Sequence, residues 1–248
     1  MGYVAARLLT VSIAVLAIAW GAITLPFFFR GSLIEDLGKL VIRGEPFKTE
    51  VLVEQIPNLE AAERQSFCQP AVLRAAAFVR LRLAEDAIDQ GDRLSIDDRI
   101  EALRSAIKRS LSCSPADAFL WMVLSWVEST ASGFSGRNFD YLRMSYQQGP
   151  NEAWIALKRN RALLAMHAQL PDDLAERAVA EFARIVESKL YVEAADILTG
   201  PGWAVRNILL TRLESVPLGD RERFAKILQD RDLQLTVPGV APPPPPRR

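Results

Sequence analysis

Histidine occurs once in this chain of 248 residues and cysteine twice. That excludes a zinc finger or zinc ribbon, which takes four Cys or His ligands from one chain. An excess of charge is missing too. Thirty basic residues face thirty acidic ones, and without Arg7 and Arg30 residues 31–248 keep 28 and 30, a net of −2. No basic footprint for a nucleic acid results. The 13 glycines are scattered. Neither G-x-x-x-x-G-K-S/T nor G-x-G-x-x-G occurs, and Ser132-Gly-Phe-Ser-Gly136 is not G-x-S-x-G. Phosphate loops and a nucleophile elbow are therefore not encoded in any form these motifs take. What the chain does have is apolar content: 50% hydrophobic against 24% charged residues. That excludes a disordered chain and suffices for a sizeable core.

Residues 8–29 (LLTVSIAVLAIAWGAITLPFFF) are 22 residues without a charge, bracketed by Arg7 and Arg30. A helix needs about 20 apolar residues to cross a bilayer. Pro26 would kink only the last turn of such a span. The other reading is a cleaved signal peptide with Arg7 as its basic region, residues 8–16 as its apolar region and Ala17-Ile18-Ala19 as its cleavage site. Cleavage there would leave a mature end of Trp20-Gly-Ala-Ile-Thr-Leu-Pro-Phe-Phe-Phe, which is greasy for a free terminus. An uncleaved anchor over residues 1–30 is the expectation. Its orientation is contested. Arg30, Lys39 and Arg43 on the C-terminal side favour a cytosolic domain by the positive-inside rule, whereas long domains are translocated largely regardless of charge.

Gly31, Gly38, Gly44, Pro46 and Pro57 punctuate residues 31–60, which read as a juxtamembrane connector with a short extended piece at Glu50–Gln55 (EVLVEQ). Beyond it, residues 61–232 read as helix after helix. Leu73, Ala77, Leu81, Ala84 and Ile88 fall at helical spacing, as do Ile96, Ile100, Leu103, Ile107 and Leu111, the latter capped by Ser95 with Asp97 and Asp98 in the first turn. Residues 118–127 (AFLWMVLSWV) are apolar on every face except Ser125 and too short to span a bilayer, so they predict a central buried helix. Phe139, Leu142 and Tyr146 mark a fourth helix; Ala153, Leu157, Leu164 and Ala168 a fifth; Leu174, Ala178, Phe182 and Ile185 a sixth, opened by Pro171-Asp172-Asp173. Residues 192–198, 205–216 and 221–228 supply three more. Residues 233–248 form an extended tail, in which Leu233, Leu235 and Val237 alternate as a packed strand-like segment does, and Pro242–Pro246 force polyproline II.

A repeat appears at an offset of 35 residues. Ile107 lies over Leu142, Ser110 over Ser145, Pro115 over Pro150, Asp117 over Glu152 and Ala118 over Ala153. Pro at the first helical position with an acid two residues on is a helix-start signal. The unit is helix, Pro-acid start, helix, at about the 34-residue tetratricopeptide period. Over roughly residues 71–170 the sequence resembles a degenerate tetratricopeptide array. The Trp and Leu-Gly positions of that family's pattern are not shared: Trp121 and Trp154 follow their prolines by six and four residues. The resemblance implies an all-α fold, an α-α hairpin superhelix with a concave binding face. The segments SPADAFLW (114–121) and GPNEAWIALKRN (149–160) also resemble N-terminally anchored alphaproteobacterial envelope proteins, a likeness that supplies no activity.

Cys68 and Cys113 each stand two residues before a proline, which places both at predicted helix starts on one end of a hairpin stack. A disulfide between them closes a loop of about 46 residues, worth roughly 4 kcal/mol in the chain-entropy model. Two independent buried thiols are the other reading. An even cysteine count behind a membrane-insertion signal favours the disulfide, and with it a periplasmic domain. His167, with no second ligand at metal spacing, reads as a packed or surface residue. Asp97-Asp98 and Asp172-Asp173 read as acids serving helix dipoles, not as a glycosidase pair. In the cluster Lys158-Arg159-Asn160-Arg161, Asn160 falls on the apolar side and needs buried partners. Trp154, Lys158 and Arg161 are the candidate partner-binding residues, against a plain reading of solvated cations.

The expectation is a single-pass protein of a bacterial inner membrane with its helical domain in the periplasm. It would bind protein or peptide partners as a scaffold, in envelope assembly or polysaccharide export. No catalytic, metal or cofactor site is expected. The rivals are a cytosol-facing membrane adaptor with reduced cysteines and a carboxylate-based hydrolase built on a helical superhelix.

Overall fold

The apolar segment and the thirteen residues after it are one helix. The computed structural model describes residues 2–91, 93–133 and 136–241; within them, the side chains of residues 2, 4–6, 26–30, 93–94 and 131–132 lie outside the description. The proline run Pro242–Pro246 and the side chains of Pro26 and Arg30 therefore fall outside it. Helix α1 covers Gly2–Ile42, 41 residues, or about 60 Å of rise. Its stretch Arg7–Leu25 is long and apolar enough to cross a membrane, and none of that stretch is buried by the rest of the chain. Backbone proximity divides the chain into two units, Met1–Pro115 and Ala116–Arg248.

In the first unit, residues 31–42, where the punctuation by glycine predicts a connector, continue α1. The two glycines do not break the helix; they are the places where another helix touches it. Gly31, Ile34, Gly38 and Val41 recur at the spacing of one helix face. A Cβ on Gly38 would stand 2.6 Å from Ala75 Cβ and 2.8 Å from Ala75 Cα, and one on Gly31 would meet Val72 Cγ2 at 2.9 Å. Helix α2 (Thr49–Val53) replaces the extended piece expected at Glu50–Gln55. The Val-Leu-Val alternation looks strand-like, but only Leu52 is buried, and Thr49 Oγ1 donates to Asp86 Oδ2 at 2.9 Å, anchoring this single turn. Helix α3 (Ile56–Glu63) adds Leu59 and Ala62. All three close over α4 (Pro70–Gln90), and Ile34, Leu52, Leu59, Val72, Ala76, Val79 and Leu83 make one apolar cluster. Arg80 is buried there and forks onto Glu63 at 3.1 and 3.0 Å.

Pro70 opens α4 at its first position, and Gly91 ends it with φ +69°, a left-handed conformation that glycine adopts without strain. Helix α5 (Arg93–Cys113) returns along α4 and buries Leu103, Ala106, Ile107 and Leu111. It starts before Ser95, which lies inside the helix rather than capping it. Cys113 is its last residue, not a helix start. In an antiparallel hairpin the start of one helix and the end of the other share one end, so Cys68 and Cys113 still meet. They are disulfide-bonded, with Cα atoms 5.7 Å apart.

The second unit comprises α6 (Ala118–Ser132), α7 (Gly136–Gln148), α8 (Ala153–Ala165), α9 (Asp172–Glu187), α10 (Tyr191–Thr199), α11 (Arg206–Arg212) and α12 (Leu218–Asp230). With α1–α5 this makes an all-helical chain, and no strand occurs among the described residues. The offset-35 repeat is a repeat of junctions. Helices α5 and α7 end at 113 and 148, α6 and α8 start at 118 and 153, and the capping residues Asp117 and Glu152 share φ −85° with ψ 96° and 100°. Pro115 and Pro150 precede these caps by two residues instead of occupying the first helical position, since the helices wait for the acid. Asp117 accepts hydrogen bonds from the Phe119 and Leu120 amides at 3.1 Å; Glu152 makes no such bond. Its core runs from Leu142 and Tyr146 through Leu164 and Phe182 to Leu209, Phe224 and Val237, with Phe182 edge-on to Phe224. Leu233, Leu235 and Val237 pack on it as irregular chain. Arg221 Nη1 holds this tail by donating to the Pro238 carbonyl at 2.6 Å.

Because a side chain on Gly38 meets Ala75 backbone, which cannot step aside, Gly38→Ala should destabilise the first unit by about 1–3 kcal/mol through overpacking. Gly21→Ala, with nothing within 4 Å, should be neutral or favourable by up to about 1 kcal/mol. Thermal unfolding of both variants in the same detergent, followed by helical circular dichroism, measures the contrast.

Candidate functional site

The four consecutive residues Lys158, Arg159, Asn160 and Arg161 separate into two groups once α8 is placed. The stripe Ile155, Ala156, Arg159, Asn160, Leu163 and Leu164 faces inward and is buried, while Lys158 and Arg161 face solvent. Arg159 is the largest fully buried side chain of the described residues. A guanidinium without water must find partners for its five N–H groups. Its Nε donates to Glu181 Oε1 on α9 at 3.1 Å, and Nη2 reaches the same oxygen. Nη1 donates to the Ser145 carbonyl at 2.9 Å and to Ser145 Oγ at 3.1 Å, and Nη2 to the Gly149 carbonyl at 3.2 Å. The guanidinium carbon lies 3.9 Å from the centroid of the Tyr146 ring. Arg159 thereby caps the C-terminal turn of α7, where helix carbonyls are unpaired and the dipole favours a cation.

The surroundings complete the network. Tyr146 Oη donates to Glu181 Oε2 at 3.1 Å. Ser145 Oγ donates to the Ala118 carbonyl at 2.7 Å, linking α7 to the start of α6. Asn160 Nδ2 donates to the Ala178 carbonyl at 2.7 Å, joining α8 to α9. Gly149 lets these turns close: a Cβ there would stand 2.5 Å from Ala118 Cβ. Burial pushes the Glu181 carboxyl above its ordinary range, and the Arg159 hydrogen bonds and charge pull it back. Burial also pushes the Tyr146 phenol well above the usual value, with the Glu181 charge adding to it. A groove of about 210 Å³ opens beside the pair, lined by Pro150, Ala153, Ala156, Glu181, Arg184 and Leu190 among others.

The residues singled out from the sequence are placed as follows. Trp154, Lys158 and Arg161 share one edge of α8 at i, i+4, i+7 spacing, and none of them lines that groove. Trp154 is half-buried, its ring 5.1 Å from that of Phe119. Lys158 is exposed. Arg161 reaches Asp196 at 3.9 Å, a carboxylate that Arg231 holds at 2.7 Å. Cys68 and Cys113 are far along the chain from this edge, in the other unit. Asn160 sits on the apolar side with a backbone carbonyl as partner, as its spacing predicts. His167 lies in a 3-10 turn, His167–Gln169, half-buried. Asp172 and Asp173 are exposed in the first turn of α9, as expected, whereas Asp97 and Asp98 are exposed in the second turn of α5, because that helix starts at Arg93 and not after Ser95. Asp173 receives the Arg143 fork at 2.8 and 2.7 Å, which holds its carboxyl below the usual range. Among the described residues, no three His, Cys, Asp or Glu converge as metal ligands.

Sequence reading by clusters misses Arg159 and Glu181. The signal that finds them is helical phase: Arg159 stands four residues after Ile155 and four before Leu163, and Glu181 adjoins Phe182 on the stripe Leu174, Ala178, Ile185.

Removing one member of a buried ion pair strands the other, whereas replacing both leaves a greasy core. Arg159→Met should therefore cost about 3–5 kcal/mol, and Arg159→Met with Glu181→Met should recover much of that loss. Urea unfolding read by tryptophan fluorescence tests this, because Trp121, Trp126, Trp154 and Trp203 all lie in the second unit. A second expectation concerns Asp173. Its folded-state pKa lies below the ordinary 3.8, so its contribution is present above that value and is lost as pH falls through the folded-state value. Asp173→Asn should be destabilising at pH 7, and the gap to wild type should close as pH drops below about 4. Unfolding curves at stepped pH values give the comparison.

No family model, no curated protein and no solved structure matches the chain.

Proposed function

We propose that the chain is a single-pass protein of a bacterial inner membrane whose helical units stand in the periplasm and hold protein or peptide partners close to the bilayer, as a scaffold in envelope assembly or polysaccharide export. The observation that carries this reading is the Cys68–Cys113 disulfide in the unit that directly continues an apolar helix long enough to span. Disulfides persist in oxidising compartments and are rare in the cytosol, so the bridge favours export of everything after α1. Successive hairpins, α4–α5, α6–α7 and α8–α9, support a superhelix of tetratricopeptide type, a form that offers a concave face to extended partners. The edge of α8 with Trp154, Lys158 and Arg161 is the proposed partner contact: an aromatic anchor with two cations suits an acidic or carboxylate-bearing peptide. The chemistry proposed is binding, with no catalytic step and no cofactor.

One observation favours a cytosol-facing adaptor instead. Lys39 and Arg43, both exposed, add to Arg30 on the C-terminal flank of the span, where cytoplasmic loops carry their basic residues. Thiol labelling of native membranes under denaturing conditions, before and after reduction, separates the two. The periplasmic scaffold predicts no labelling without reductant, two labelled thiols after it, and cleavage by external protease once the outer membrane is permeabilised. Two reactive thiols without reductant, together with full protection from protease, would establish the adaptor in its place.

A further inference from the structure

The disulfide marks one end of the α4–α5 hairpin, and the structure fixes the depth of that end relative to α1. Helices α1 and α4 run in the same direction where they touch. Gly31 lies against Val72 and Gln69 near the start of α4, and Gly38 lies against Ala75 further on. The uncharged run of α1 ends at Phe29 after 22 residues, about 33 Å of helix against a hydrocarbon core of about 30 Å. Gly31 is two residues beyond that run, a rise of about 3 Å. The headgroup region on each side is about 5–8 Å deep. Whatever abuts Gly31 is therefore at headgroup depth.

What abuts it has the composition of such a layer. Residues 65–73 and 110–115, which carry Cys68 and Cys113, contain no charged residue. Phe67 is 44% exposed beside the bridge, and Ser66, Cys68, Pro70 and Ala71 are exposed with it. Cations border both neutral stretches: Arg64 and Arg74 around the first, Lys108 and Arg109 before the second. Arg64 pairs with Glu60 at 3.3 Å, and Arg109 donates to the Gln65 carbonyl. A neutral tip with an aromatic ring, rimmed by long basic side chains, fits the interface between acyl chains and phosphates. Between this tip and α1 lies a groove of about 330 Å³, lined by Gly31, Glu35, Phe67, Gln69 and Val72 among others. The amide nitrogen and oxygen of Gln69 are both buried there without a hydrogen-bond partner, so a polar group entering from the headgroup layer would satisfy them.

We infer that the disulfide-stapled end of the α4–α5 hairpin is a lipid-binding surface: it seats in the headgroup layer with Phe67 as its apolar contact. This rests on the reading of α1 as a membrane span. The seat adds a second attachment to the bilayer, so the first unit would stand at a fixed height and angle instead of swinging on a single helix.

Photocrosslinking of the full chain tests it. A p-benzoylphenylalanine is placed at Leu16, Phe67 or Ile88, one at a time, and each protein is reconstituted in vesicles of phosphatidylethanolamine and phosphatidylglycerol. Leu16 is exposed within the span. Ile88, also exposed, lies 18 residues along α4 from Pro70, about 27 Å further from the bilayer. After irradiation, mass spectrometry reads the gain of one phospholipid mass. The expected result is an adduct at positions 16 and 67 and none at 88. An adduct at 16 with none at 67, or equal adducts at 67 and 88, overturns the seat and leaves the span standing. Absence of an adduct at 16 overturns the span and the seat together.

Discussion

A guanidinium that no water reaches is the constraint around which the second unit is arranged. Arg159 is fully buried, and a buried charge is tolerated only with an opposite charge and a full set of acceptors. Glu181 must then come in from α9, and the last turn of α7 must present the Ser145 and Gly149 carbonyls. Gly149 must lack a side chain for the turn to sit against Ala118. Four helices are positioned by these requirements, each through a hydrogen bond with a direction. Apolar packing alone would let α8 rotate or slide against α9 at little loss, because Leu, Ala and Val contacts are non-directional. A buried ion pair is weak evidence for net stability; what it adds is direction, since Arg159 reaches Glu181, Ser145 and Gly149 through oriented hydrogen bonds.

The first unit is governed differently. Its central contact is close approach, with Gly38 against the backbone of Ala75, in a stretch of α4 where three alanines follow each other at 75–77. Small residues on both helices shorten the distance between their axes and enlarge the contact of Ile34, Val72 and Val79 around them. Since α1 is continuous from the apolar stretch to this seam, a rotation of α1 would be transmitted to α4 without an intervening hinge. The bridge between Cys68 and Cys113 then fixes α5 to the same end. Helix, seam and bridge tie both helices of the hairpin to the helix that carries the apolar segment.

Much of this was legible in the sequence, and the exceptions share a physical cause. Apolar patterning locates α4 through α12, by helical spacing for most of them and by an unbroken apolar run for α6, because burial is set locally by residue type. The junction repeat at an offset of 35 is legible for the same reason: it depends on a few residues in a row. Connector glycines at 31 and 38 read as breaks because their purpose, contact with Val72 and Ala75, lies some 40 residues away. Cys113 reads as a helix start from the proline after it, whereas the helix before it runs on to the cysteine itself. The Arg159 pair is hidden by charge: residue type says surface, and only helical phase, checked against Ile155 and Leu163, says core. Trp154, Lys158 and Arg161 come out on one edge because residues at i, i+4 and i+7 share one side of a helix.

The two proposed contact surfaces differ in chemistry. Around the bridge, residues 65–73 and 110–115 are neutral, a composition suited to a surface recognised through depth and apolar contact. Along the proposed contact edge of α8 stand a half-buried aromatic ring and two exposed cations, and one of those cations shares Asp196 with Arg231. At 3.9 Å against 2.7 Å, Arg161 is the weaker partner, so an incoming carboxylate would draw it away at small loss, exposed ion pairs being worth about 0–1 kcal/mol. Lys158 lies one turn before it on the same edge. The basic edge of α8 is thus available to a carboxylate without breaking the fold, because the charge that the fold does depend on, Arg159, faces the other way.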